Sequence, residues 1–138
     1  MVEFGLFVNP AAANYENARS QVETAERGGL DLIGIQDHPY QRRFLDTWAL
    51  IADLLARTER LRFFPDVANL PLRLPTMMAK HAASLDVLSG GRFELGLGAG
   101  AFWEAIAVMG GPSRSAKESV DALEEAIQIR ATSEWRPS

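Results

Sequence analysis

Ser84-Leu85-Asp86-Val87-Leu88-Ser89-Gly90-Gly91-Arg92-Phe93-Glu94-Leu95-Gly96-Leu97-Gly98-Ala99-Gly100 is the stretch whose reading decides the fold. It runs as the end of a helix, a two-glycine turn, a short buried strand and a glycine-rich loop. A strand that delivers closely spaced glycines at its C-terminal end brings bare backbone close to something. In α/β proteins that something is usually a ligand, because ligands sit at the carboxyl ends of parallel strands. The same glycines also suit a tight turn with no ligand, and a short glycine pattern leaves both readings open.

Working outward, strand and helix patterns alternate four times. Residues 2–8 are β-branched, aromatic and apolar and predict a first strand. Asn14 is placed to cap a helix whose apolar face carries Ala18, Val22 and Ala25, and Gly28-Gly29 ends it. Residues 30–35 predict a second strand, apolar on both faces as a buried parallel strand is. Asp37-His38-Pro39 opens a loop, and Asp46 caps a second helix to about residue 58. Residues 61–67 predict a third strand. Pro71 and Pro75 frame the next loop, with Pro75 suited to the first turn of a third helix. Residues 92–97 predict a fourth strand, and Ser115-Ala116-Lys117-Glu118 is a capping box for a last helix. Such alternation implies parallel strands and right-handed crossovers. The expected fold class is α/β: a (β/α)4 half of a (β/α)8 TIM barrel, as one truncated domain over residues 1–138. A whole barrel takes about 250 residues.

Composition narrows the function. An apolar fraction of 47% supports a core, and a formal net charge of −4 with no basic tract argues against nucleic acid. There is no cysteine, hence no disulfide and no thiolate chemistry. With His38 and His81 the only histidines, no metal site is expected. No apolar run suits a bilayer and no signal-peptide pattern is visible, so the expected setting is cytoplasmic, away from membranes.

Several motifs occur in a telling order: Asp37-His38, Thr58-Glu59-Arg60-Leu61, Leu70-Pro71-Leu72-Arg73-Leu74-Pro75, Ala79-Lys80 with Leu85-Asp86, Leu88-Ser89-Gly90-Gly91-Arg92, and Gly96-Leu97-Gly98-Ala99-Gly100. Together they resemble the N-terminal half of the luciferase-like monooxygenases. The resemblance runs from about residue 2 to about residue 129. It implies a barrel that binds reduced FMN or the deazaflavin coenzyme F420 at its C-terminal mouth. It implies an oxidoreductase that moves hydride or activates oxygen for a small-molecule substrate. It also implies a non-prolyl cis peptide at Asp66-Val67, in a bulge formed with Ala68 and Asn69 against which the coenzyme ring packs. Two departures stand out. Ala101 occupies the place of an acidic glutamate found in the deazaflavin sugar-phosphate dehydrogenases, and residues 131–138 leave the helix-to-strand pattern.

Among candidate site residues, His38 stands at the end of the second strand and is the side-chain type that titrates near neutrality. It can donate a proton or hydrogen bond to coenzyme or substrate, or simply cap the Pro39 turn. Asp37 can orient His38, meet the ring edge, or do ordinary turn chemistry. Gly98, Ala99 and Gly100 can approach the coenzyme by backbone, and Phe102 and Trp103 can line an apolar substrate pocket. His81 reads as structural. Arg73 reads equally as a loop ion-pair partner or an anion contact.

Two other functions compete. One is a catalytically impaired half-barrel that self-associates or binds a partner. The other is a nicotinamide dinucleotide fold, since Gly96-x-Gly98-x-x-Ala101 fits GxGxxG/A, though that fingerprint belongs in a first βα turn. Open strand edges and an uncovered apolar face predict a homo-oligomer, either through the second and third helices or with Phe4, Leu6, Ile33, Ile35, Phe93 and Leu95 buried between subunits.

Overall fold

The computed structural model describes residues 2–132. Strands β1 (Gly5–Val8), β2 (Leu32–Ile35) and β3 (Arg62–Pro65) form a parallel sheet in that order. Helix α1 (Tyr15–Gly28) connects the first two, and α2 (Thr47–Leu55) the next two. Helix α1 packs on β1 and α2 on β3. Asn14 precedes α1, but its side chain accepts from Asn17 rather than from the helix backbone. Gly29, at φ 82°, ends that helix in the left-handed region. Asp46 caps α2 as expected: its Oδ1 accepts from the N–H groups of Trp48 (3.0 Å) and Ala49 (3.1 Å).

The register assigns the two faces of the sheet. Leu6, Ile33 and Phe63 lie side by side, as do Val8, Ile35 and Pro65. This face meets the helices, and Val8, Ile33, Ile35 and Phe63 are fully buried in the core. Burying each such side chain contributes roughly 1.5–3 kcal/mol. The other face carries Gly5, Phe7, Leu32, Gly34, Arg62 and Phe64, and Phe7 is 53% exposed on it. The expectation that Ile33, Ile35 and Phe93 lie on the uncovered face is therefore corrected by one residue of phase. All three are buried within the protomer.

The predicted fourth strand is broken. Phe93 pairs with Phe63 as an isolated parallel bridge, and pairing resumes only at β5 (Leu97–Gly98), which runs beside β4 (Ala68–Asn69). The interruption faces Pro65, which has no N–H to give, and the bulge that follows it. The peptide bond between Asp66 and Val67 is cis, as the resemblance implies.

Pro75 opens α3 (Pro75–Ser89) as expected. Helix α4 (Trp103–Val108) was not foreseen. In α5 (Ala116–Thr132) the capping box is closed: Glu118 Oε2 accepts from the Ser115 N–H at 2.7 Å, and Ser115 Oγ accepts from the Glu118 N–H at 3.3 Å. Helix α5 packs on α3. The departure noted over residues 131–138 lies, from 133 onward, outside the described residues. No described helix is long and apolar enough to cross a membrane.

Several of the quoted motifs bind the N-terminal end of the sheet. Glu26 accepts from the N–H groups of Arg60 and Leu61, while Arg60 donates back to the carbonyls of Glu26 and Leu30. The Arg92 guanidinium donates to the carbonyls of Leu55, Leu61 and, through Nε, Ser89. These arginines tie helix ends to strand starts, the part of such folds that serves stability.

Candidate functional site

At the opposite end, the loops after β2, β3 and β5 converge on a cleft of about 250 Å³. One wall is the loop after β2, with His38 and Tyr40. Their rings stack at 5.3 Å, and Phe102 closes the group at 5.6 Å from His38 and 5.9 Å from Tyr40. Burial, and then the nearby Asp37 charge, raise the Tyr40 hydroxyl above its ordinary pKa. Opposite lies the bulge of Asp66, Val67, Ala68 and Asn69, and beside it Gly98, Ala99, Gly100 and Ala101.

The glycines answer first to the protein itself. A Cβ on Gly96 would stand 2.4 Å from the Pro65 carbonyl oxygen, and one on Gly98 2.3 Å from Val67 Cγ2. Both positions are bare so that the bulge can nest against the fourth-strand segment. Gly98 also lines the cleft, so the turn and ligand readings share that residue.

Asp37 is 1% exposed, and its carboxylate does not orient His38. Its oxygens accept from Arg73 Nε and Nη2, both at 2.7 Å, and from the Asn69 backbone N–H at 2.9 Å. This corrects the His38-orienting option for Asp37. Arg73, left open by the sequence, is an ion-pair partner: it also donates to Asp46 at 2.8 Å and lies 5.5 Å over the Trp48 ring. Burial alone would raise the Asp46 carboxyl. The Arg73 hydrogen bond and the N–H groups of Ala49 and Trp48 outweigh it and hold the group below its ordinary value. Below them His81 stacks on Trp48 at 5.6 Å.

Among the described residues that line the cleft, one buried side-chain polar atom has no partner. Asn69 is 6% exposed, and its Oδ1 is buried without a hydrogen bond. An unpaired buried acceptor costs about 1–3 kcal/mol, and this one lies beneath the cleft surface rather than open to it. Of the two aromatic pocket candidates, Phe102 is 57% exposed at the cleft rim. Trp103 is corrected: it lies outside the cleft, with its ring edge close to Gly100. Tyr40 was missed, although an aromatic two residues after His38 in a strand-end loop is the signal that marks it. Arg73 and Asp46 were visible individually, but their joint hold on Asp37 is a long-range arrangement.

The family comparison now decides the broader identity. Residues 2–132 match the luciferase-like monooxygenase family. The chain belongs to that family. An uncharacterised protein of Mycobacterium tuberculosis is 37% identical over 92 residues, covering 67% of this chain and 32% of that protein. The F420-dependent glucose-6-phosphate dehydrogenase of Amycolatopsis mediterranei is 32% identical over 128 residues, covering 86% of this chain and 38% of the enzyme. Among solved structures, the oxygenating constituent of 3,6-diketocamphane monooxygenase from Pseudomonas putida, in complex with FMN, superposes with a TM-score of 0.78. It is 27% identical and covers 93% of this chain and 38% of its own. This luciferase-like chain thus spans less than half the length of these relatives. Its parallel strands and flanking helices are those of the family's TIM-barrel enzymes.

Proposed function

We propose that this chain is the (β/α)4 half of a luciferase-like barrel, and that its cleft holds the ring of reduced FMN or coenzyme F420 in an oxidoreductase or monooxygenase reaction. The observation that carries the reading is the convergence on one cleft of the His38, Tyr40 and Phe102 rings, the bulge at residues 66–69 and the glycine loop at residues 98–100. A cleft with an aromatic wall and bare backbone suits a flat heterocycle. Asp66, Val67 and Ala68 supply one surface for such a ring. Gly98, Ala99 and Gly100 offer backbone approach, and Phe102 shields the substrate side from water. His38 and Tyr40 are the hydrogen-bond and proton donors. When bound, the coenzyme supplies the hydride or, as reduced flavin, the oxygen activation. The organism's cytoplasm is the proposed setting.

The test is titration of the purified chain with FMN and with F420, followed by coenzyme fluorescence. Quenching by one and not the other identifies the coenzyme, and quenching by neither removes the reading. A His38→Ala variant with unchanged affinity and turnover would sink the role given to His38.

The open sheet face favours a second reading, a self-associating chain with little catalysis. Phe7 is 53% exposed there, and Leu32 and Phe64 are only partly buried. A homodimer or larger oligomer is expected, and a stable monomer in light scattering at micromolar concentration would count against it.

A further inference from the structure

Arg73 ties together three loop and helix ends beyond the paired part of the sheet. It lies after β3, yet its guanidinium reaches Asp37 at the end of β2 and Asp46 at the start of α2. Asp37 in turn accepts the backbone N–H of Asn69. The Asp37 carboxylate, gripped by Arg73, therefore connects the wall that carries His38 and Tyr40 with the wall that carries Asn69. The Trp48 ring beneath the guanidinium, and Thr47 donating to the Gln36 carbonyl at 2.6 Å, hold the same junction from the helix side.

We propose that Arg73 is a positioning residue. It sets the spacing of the two cleft walls and aims Asn69, and so controls how well a flat heterocyclic ring binds. The proposal rests on the reading of the cleft as a ring site and adds the residue on which its width depends. The chemistry calls for arginine in particular. Asp37 is met by two parallel N–H groups of one planar fork, and a further N–H contact goes to Asp46. Lysine would keep the charge but present a point donor without the fork.

Two measurements on the whole chain test this, in wild type, Arg73→Lys and Arg73→Met. The first is affinity for FMN and F420. Arg73→Lys, which keeps the charge balance and is expected to fold, should bind the ring about three- to tenfold more weakly, and Arg73→Met at least about tenfold more weakly. The second is amide hydrogen exchange without coenzyme. Asn69 should exchange about tenfold or more faster in the variants, while Phe63, whose N–H is held by the Arg92 carbonyl in the core, should hold its rate. Equal acceleration at Asn69 and Phe63 would mean that Arg73 only stabilises the fold, and would overturn the proposal. So would wild-type affinity and wild-type Asn69 exchange in Arg73→Lys. If wild type binds neither coenzyme but Asn69 loosens selectively, the ring reading fails and the positioning role stands.

Discussion

On one face of the β1–β2–β3 sheet, Val8, Ile33, Ile35 and Phe63 are sealed from water. On the other, Phe7 is half exposed, and Leu32 and Phe64 are only partly covered. The residues are alike and the strands are the same, so burial here is set by what packs against each face. Helices α1 and α2 lie over the first face, and no described element seals the second. A strand that is apolar on both sides carries no internal mark of which side the helices will take. The phase comes from the crossovers, and a slip of one residue exchanges the faces.

The sharpest way to break this contrast is to cut one side chain on each face. Phe63→Ala removes a fully buried ring and should cost about 3–5 kcal/mol in urea unfolding. A loss below about 1 kcal/mol would contradict the face assignment. Gly98→Ala probes the junction between sheet and cleft. Its Cβ meets Val67 Cγ2 at 2.3 Å. It should lose about 1–3 kcal/mol and bind coenzyme more weakly, read by melting and by titration.

Asp46→Ala should cost about 1 kcal/mol at pH 7 by removing the cap of α2. The sign with pH follows from the carboxyl being held below its ordinary value. The stabilisation is full above the unfolded-state pKa and is lost as pH falls through the lower folded value. The gap between wild type and variant should therefore close in acid unfolding below about pH 4. Phe7→Ala is the smallest effect, within about 0.5 kcal/mol for the isolated chain. Its readout is association: if the open face joins subunits, the oligomer in light scattering should weaken. An unchanged oligomer would move the contact to other surfaces such as the α2 and α3 helices.

Much of the fold was legible because local chemistry spoke for it. Asp46, Pro75 and the Ser115–Glu118 box marked helix starts through backbone N–H needs that any sequence must meet. Glycine pairs marked helix ends. The fourth strand was misjudged because its pairing depends on Pro65 and on the bulge next to it, a neighbour about thirty residues earlier in the chain. The site divided in the same way. His38, the bulge and the glycine loop, read from strand ends and from the family resemblance, line one cleft. The partners of Asp37 were not, since nothing local in Asp37-His38 tells that the carboxylate turns inward to Arg73 rather than outward to His38. Trp103 was misplaced for a related reason: the unforeseen α4 begins at that residue, and its ring packs beside Gly100 without lining the cleft.

The coenzyme ring proposed for the cleft is tested most directly by amide chemical-shift mapping of the chain on addition of FMN or F420. The prediction is that shifts cluster at Tyr40, Ala68, Asn69, Gly98, Ala99 and Gly100, with the strand amides of Phe7 and Phe64 unmoved. Shifts centred on the open sheet face, or none at saturating coenzyme, would contradict it.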